Sequence, residues 1–168
     1  MKNYLVRFTV LLLYRLSLAH AKSVVFQNHD NLDLFHKKKL IHSHQAIVIS
    51  GSGVNTSVFK YSAPKIEKYK FLCIARLLKE KGIYEFIKSA EQVKQTVADT
   101  EFELLGSEKE LGDSVPISLI KRMHKRGIIT YYGEVEDVRP YIEESSVFVL
   151  PSYHEGLPRS TLEAMSIG

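Results

Sequence analysis

The residues of this chain best suited to chemistry are two acids near its end, Glu155 and Glu163, separated by seven residues in LPSYHEGLPRSTLEAMSIG. Leu150 closes the apolar run Ser146–Leu150, which reads as a buried strand. Pro158 suits the first turn of a following helix, where a missing N–H costs nothing. Glu155 therefore falls in the strand-to-helix loop, and Glu163 about a turn and a half into the helix, roughly 7 Å along its axis. The free N–H groups and dipole at such a helix start favour an anion. A carboxylate further along can accept from the paired hydroxyls of a ribose. The backbone amides of Gly156 and Leu157 can bond sugar hydroxyls or phosphate oxygens. A plain strand–loop–helix with two surface acids is the alternative.

A second group stands earlier in the chain. Arg76 leaves an apolar strand within Ala75–Gly82, and Lys81 comes just before the next helical pattern. Two cations at a strand end can neutralise the charge that grows on a departing diphosphate. On spacing alone the favoured reading is plainer: Arg76 a solvated strand-end charge and Lys81 a helix-entry residue in a charged run.

The elements that position these groups alternate regularly. From Lys70 the pattern predicts strands at 71–75, 102–105, 128–132 and 147–150, with helices at 82–97, 116–125 and 138–144 between them. Such alternation implies right-handed crossovers and a parallel, doubly wound sheet, with ligands at the carboxyl ends of the strands. Those ends carry Arg76, Gly106, Gly133 and the Glu155 loop. Before Lys70 the pattern predicts a buried amphipathic helix at 4–19, strands at 23–28 and 46–50, and a helix capped by Asp30 and running to Lys39. Residues 55–69, with Pro64 and little periodicity, read as a linker.

Composition excludes several classes. The chain has 168 residues, 45% hydrophobic and 25% charged, which is ordinary for one globular domain or a domain plus a fragment. The single cysteine, Cys73, rules out a disulfide framework and points to a reducing compartment. Net charge is +4, and the one dense basic run, His36–Lys39, reads as a solvated helix end rather than a nucleic-acid site. An anionic membrane surface stays open for it. Arg7 and Arg15 interrupt the apolar start, so it is too short for a spanning helix and poor as a secretory signal. His42, His44 and His154 lack the spacing of a metal set.

Several stretches together, "FLCIARLLKEKGIYEFI", "VVFQNHDNLDLF", "GSGVNTSVF" and "DVRPYIEESSVFVLPSYHEGLPRSTLEAMSIG", resemble the retaining GT-B glycosyltransferases with paired glutamates. The similarity is to the branch that extends lipid-linked sugars for bacterial surface polysaccharides. The resemblance implies an α/β fold made of a Rossmann-like parallel sheet, the partial C-terminal donor domain of a GT-B protein, with a remnant of the N-terminal domain. It divides the chain into an acceptor-domain remnant at 1–54, a linker at 55–69 and an incomplete nucleotide-sugar-binding domain at 70–168.

The resemblance also implies roles. Arg76 and Lys81 bind the donor diphosphate, Glu155 contacts the donor sugar near its reacting face, and Glu163 holds the ribose. Gly133 and Val135 resemble the loop that reads the base through backbone groups. The donor is a nucleotide-diphosphate sugar, a UDP-sugar by resemblance, carrying a hexose or N-acetylhexosamine. The acceptor is a glycan or a polyprenyl-diphosphate-linked glycan. No metal or other cofactor is expected, because two cationic side chains take its place at the diphosphate. The expected location is cytoplasmic, with peripheral association at the inner face of the plasma membrane, and no nucleic-acid partner. The resemblance further implies truncation at both ends, so a nucleotide-sugar-binding fragment without catalysis is the alternative function. An unrelated doubly wound phosphate-binding domain is a second.

Overall fold

The computed structural model describes residues 2–63, 68–108 and 113–168. Part of the expected linker, Pro64 included, lies outside the described residues. The chain folds as two compact units, Met1–Gly53 and Val54–Gly168.

The first unit contains α1 (Lys2–Leu18), β1 (Val24–Phe26), α2 (His29–Lys37) and β2 (Ala46–Val48), with β1 and β2 paired in parallel. Phe35 of α2 meets Phe26 edge-on at 5.2 Å and Tyr14 of α1 at 5.3 Å. The buried Gln45 donates from Nε2 to the carbonyls of Leu18 (3.1 Å) and Ala21 (2.6 Å), tying down the end of α1.

Two expectations fail in this unit. Asn28, not Asp30, caps α2: its extended backbone lets its side chain accept from the Asn31 amide at 2.8 Å, while Asp30 already lies in the first turn. Nor is α1 buried or amphipathic. Tyr4, Leu5, Phe8 and Leu16 are all more than 60% exposed. Apolar residues occur on every side of this helix, so its packing against α2 covers only some of them.

The second unit is built on β3 (Tyr69–Ile74), β4 (Thr100–Leu105), β5 (Thr130–Gly133) and β6 (Val147–Phe148), in the order β5-β4-β3-β6 and all parallel. Alternation along the strands makes two faces. On one, Cys73, Phe102 and Leu104 pack under α3 (Ile83–Thr96) and α4 (Ile117–Lys125). The α3 residues that reach them, Ile83, Phe86, Ile87 and Ala90, follow the i, i+3, i+4, i+7 spacing of one helix face. On the other, Leu72 and Leu105 pack with Ile142 of α5 (Arg139–Glu144) and with Ala164 and Ile167 of α6 (Arg159–Ile167). Each fully buried Leu, Ile or Phe contributes about 1.5–3 kcal/mol through removal from water.

The strand order decides where a ligand can sit. The chain winds outward from β3 through β4 to β5, then crosses back to add β6 on the other side of β3. The point between β3 and β6, where the strand order reverses, is the kind of switch point at whose carboxyl ends open α/β sheets bind ligands. β6 is shorter than the run to Leu150, but Val149 still donates to the Leu72 carbonyl at 2.8 Å and carries the pairing one residue further. Pro158 is the residue before α6 rather than in its first turn, with extended ψ of 121°.

Candidate active site

The loops that leave β3 and β6 bring together residues far apart in the chain. After β3 the backbone runs through Arg76 into a 3-10 turn, Lys79–Lys81, and reaches α3 through Gly82 in the left-handed region at φ 68°. A Cβ there would stand 2.1 Å from the Pro151 carbonyl oxygen, so the two loops touch backbone to backbone. The Tyr153 amide donates to the Glu80 carbonyl at 2.9 Å, and the Tyr153 hydroxyl donates to Glu85 at 2.7 Å.

This double loop places Lys81 Nζ 2.8 Å from Glu155 Oε1, with side chains 13% and 26% exposed. Burial disfavours charge on Glu155. The Lys81 bond, the nearby Ser152 hydroxyl and the fields of Lys81 and Arg76 outweigh it, and hold the carboxyl below its ordinary pKa. Arg76 is exposed and lies 4.0 Å from Glu80. Of the expected diphosphate pair, Lys81 is thus engaged with an acid and Arg76 stands toward solvent at the same sheet end.

Gly156 and Leu157 continue the Glu155 loop into α6, as expected. Glu163 lies on α6 with its side chain only 14% exposed, and Arg159 one turn earlier reaches it at 3.4 Å. Thr161 Oγ1, in the first turn of α6, is buried and has no hydrogen-bond partner. Gly133 ends β5 at φ 79°, and its carbonyl accepts from the Gly106 amide at 2.8 Å. Val135 packs on the core face shared by Leu72 and Ile142. The structure brings Lys81 and Glu155 into contact and sets Arg76 within their field. Glu163, Gly133 and Val135 lie on or after other elements of the same sheet.

Three residues that sequence reasoning missed shape this site: Ser152, Pro151 and Tyr153. Pro151 offers only a backbone oxygen, which no side-chain pattern reveals. Tyr153 next to a loop acid carries a detectable signal, an aromatic hydroxyl in an otherwise polar turn. Among the described residues no group of three or more His, Cys, Asp or Glu side chains is arranged to hold a metal ion, and no helix is long and apolar enough to cross a membrane.

Residues 68–168 match the sequence profile of the glycosyl transferases group 1 family. The chain belongs to that family. A relative in Campylobacter jejuni, N,N'-diacetylbacillosaminyl-diphospho-undecaprenol alpha-1,3-N-acetylgalactosaminyltransferase, is 31% identical over 180 residues, covering 99% of this chain and 46% of its own. An Escherichia coli relative, UDP-Gal:alpha-D-GlcNAc-diphosphoundecaprenol alpha-1,3-galactosyltransferase, is 28% identical over 62% of this chain and 27% of its own. The chain thus spans less than half the length of these curated relatives. Among solved structures, Anabaena Alr3699/HepE in complex with UDP and glucose superposes with a TM-score of 0.72 at 15% identity, over 93% of this chain and 46% of that one. TarM superposes with a TM-score of 0.67 over 86% and 28%. The fold is part of a GT-B glycosyltransferase, an α/β architecture with parallel sheets, as the sequence resemblance implied.

Proposed function

We propose that this chain carries the donor half of a retaining glycosyltransferase that moves a hexose or N-acetylhexosamine from a UDP-sugar to a polyprenyl-diphosphate-linked glycan. The observation that carries the reading is the meeting of Lys81 and Glu155 at 2.8 Å, beside Arg76, where the loops from β3 and β6 come together. In this reading Arg76 and Lys81 neutralise the diphosphate as its bond to the sugar breaks. Glu155 accepts from the donor sugar and stabilises its reacting face. The amides of Gly156 and Leu157 hold sugar or phosphate oxygens at the start of α6. Glu163, further along α6, accepts from the ribose hydroxyls, and the backbone around Gly133 and Val135 borders the base. Two side-chain cations serve where a metal would otherwise neutralise the diphosphate.

The activities named for the two relatives, both on diphospho-undecaprenol-linked acceptors, support the acceptor class. Such an acceptor is anchored in lipid, so the working position is the inner surface of the plasma membrane, with the protein peripheral to it. A second reading is donor binding without transfer. Radiolabelled transfer from UDP-N-acetylgalactosamine to a polyprenyl-diphosphate-linked N-acetylhexosamine, run beside donor calorimetry, separates the two. Turnover supports the enzyme; binding without turnover supports the donor module.

A further inference from the structure

At the carboxyl end of the sheet, the ends of β3, β4 and β5 are tied together around Gly106. Ala75, the residue before Arg76, donates from its amide to the Leu105 carbonyl at 3.0 Å. Gly106 follows β4, and its amide donates to the Gly133 carbonyl at 2.8 Å. A Cβ on Gly106 would stand 2.0 Å from the Ala75 carbonyl oxygen, so backbone meets backbone there too. The carbonyl of Gly106 is held by a side chain: the Tyr131 hydroxyl, from β5, donates to it at 2.8 Å.

The pairing that places this hydroxyl is irregular. Leu104 pairs with Tyr131 and Leu105 with Gly133, which leaves Tyr132 as an extra residue in β5. Such bulges bend a strand locally and are frequent beside active sites. The two tyrosines serve opposite faces. The Tyr131 ring packs against the core that α3 and α4 cover, whereas the Tyr132 ring meets Tyr141 of α5 at 4.8 Å and its hydroxyl donates to Glu103. Burial first, then the charges of Glu108 and Glu134 in the loops after β4 and β5, raise the Tyr131 pKa, so its phenol remains a donor.

Backbone groups that recognise a base must be held in place before it arrives, because ordering them on binding costs affinity. Gly106 and Gly133 are the least restrained residue type, and Gly133 sits at φ 79°. Tyr131 supplies the restraint. Its hydroxyl fixes one side of Gly106, and the other side of Gly106 fixes Gly133. The diphosphate end does not share this dependence, since Ala75 is held by its own bond to Leu105.

We propose that Tyr131 is a positioning residue for the base end of the donor site, its hydroxyl fixing the Gly106–Gly133 backbone that selects uracil. This inference rests on the donor-site reading and adds to it the residue that sets base preference.

Tyr131→Phe keeps the ring in the core and removes only the hydrogen bond. UDP and ADP share ribose and diphosphate and differ in the base, so calorimetric titration of both into the full chain isolates base recognition. The natural protein should prefer UDP by about tenfold or more. In Tyr131→Phe that preference should shrink about fivefold, through weaker UDP binding with ADP unchanged. A merely structural tyrosine would weaken both nucleotides alike. Tyr132→Phe is the control, because it removes a hydroxyl from the opposite face of the same strand and should leave the preference intact. Equal losses for UDP and ADP, an unchanged preference, or the same narrowing in Tyr132→Phe would overturn the role of Tyr131 alone. A natural protein that binds both nucleotides alike would overturn the base site with it. One that binds neither would overturn the donor-site reading.

Discussion

Gly82 and Pro151 pack backbone to backbone where the loops after β3 and β6 meet: a Cβ on Gly82 would sit 2.1 Å from the Pro151 carbonyl oxygen. Only a glycine permits this contact, which joins the Tyr153–Glu80 bond in holding together the loops that carry Lys81 and Glu155, 74 residues apart in the chain. The charged pair thus stands on loops held together by their backbones.

Gly82→Ala tests that dependence. The left-handed conformation costs about 1 kcal/mol for alanine, and the collision with a backbone oxygen adds to it, for an expected loss of more than 2 kcal/mol. Gly133→Ala is the control, because Gly133 also has positive φ but open space around its Cβ direction. It should lose only about 1 kcal/mol. Urea unfolding of both variants makes the comparison, and equal losses would contradict it.

Glu155 should make stability fall in acid. Its folded pKa lies below the ordinary value of 4.5, so its contribution is present above that value and disappears as pH drops through the folded pKa. Glu155→Gln, which leaves Lys81 without its acid, should cost roughly 1–3 kcal/mol at neutral pH. The gap between variant and natural protein should close in urea unfolding as pH falls through the lowered folded pKa of Glu155. A gap that stays constant with pH would show that the carboxylate charge is not what Lys81 recognises.

Glu103 should behave with the opposite sign. Burial raises its pKa, against the opposing bond from the Tyr132 hydroxyl at 3.0 Å. A raised folded value means its contribution is fully present below the unfolded pKa and is lost as pH rises through the folded one. Glu103→Gln keeps an acceptor for Tyr132 and should stabilise the protein at neutral pH but not in acid. The same change should bring down the Tyr132 pKa, now pushed up to about 12 first by burial and then by the Glu103 charge. Ultraviolet titration of tyrosine reads that shift directly.

Cys73 is fully buried in β3, and burial pushes its thiol up to about 12. It should resist iodoacetamide at mildly alkaline pH in the native protein and react fully once unfolded, as mass spectrometry would show. Rapid native labelling would mean that β3 opens locally.

The second unit was legible in the sequence because short strand-like runs alternate there with helical stretches that carry an apolar stripe. Phe71–Ala75 and Ile83–Ala90 are the clearest cases. Helix α1 was misjudged because Tyr4–Leu16 is apolar in every direction, and periodicity cannot assign a buried side to such a segment. The cap of α2 was displaced because Asn28 and Asp30 are both good caps, and only the extended backbone at Asn28 distinguishes them. Both loops of the site were legible as strand ends. Their contact was not, since it depends on β6 returning beside β3 and on the Pro151 backbone, neither of which leaves a mark in side-chain pattern.

The most direct test of the donor-site account is calorimetric titration of UDP-N-acetylgalactosamine into the natural chain, Arg76→Ala and Glu163→Ala. The account predicts binding by the natural chain and a loss of tenfold or more in each variant, about 1.4 kcal/mol or greater. Binding of equal strength in all three, or none by the natural chain, would contradict it.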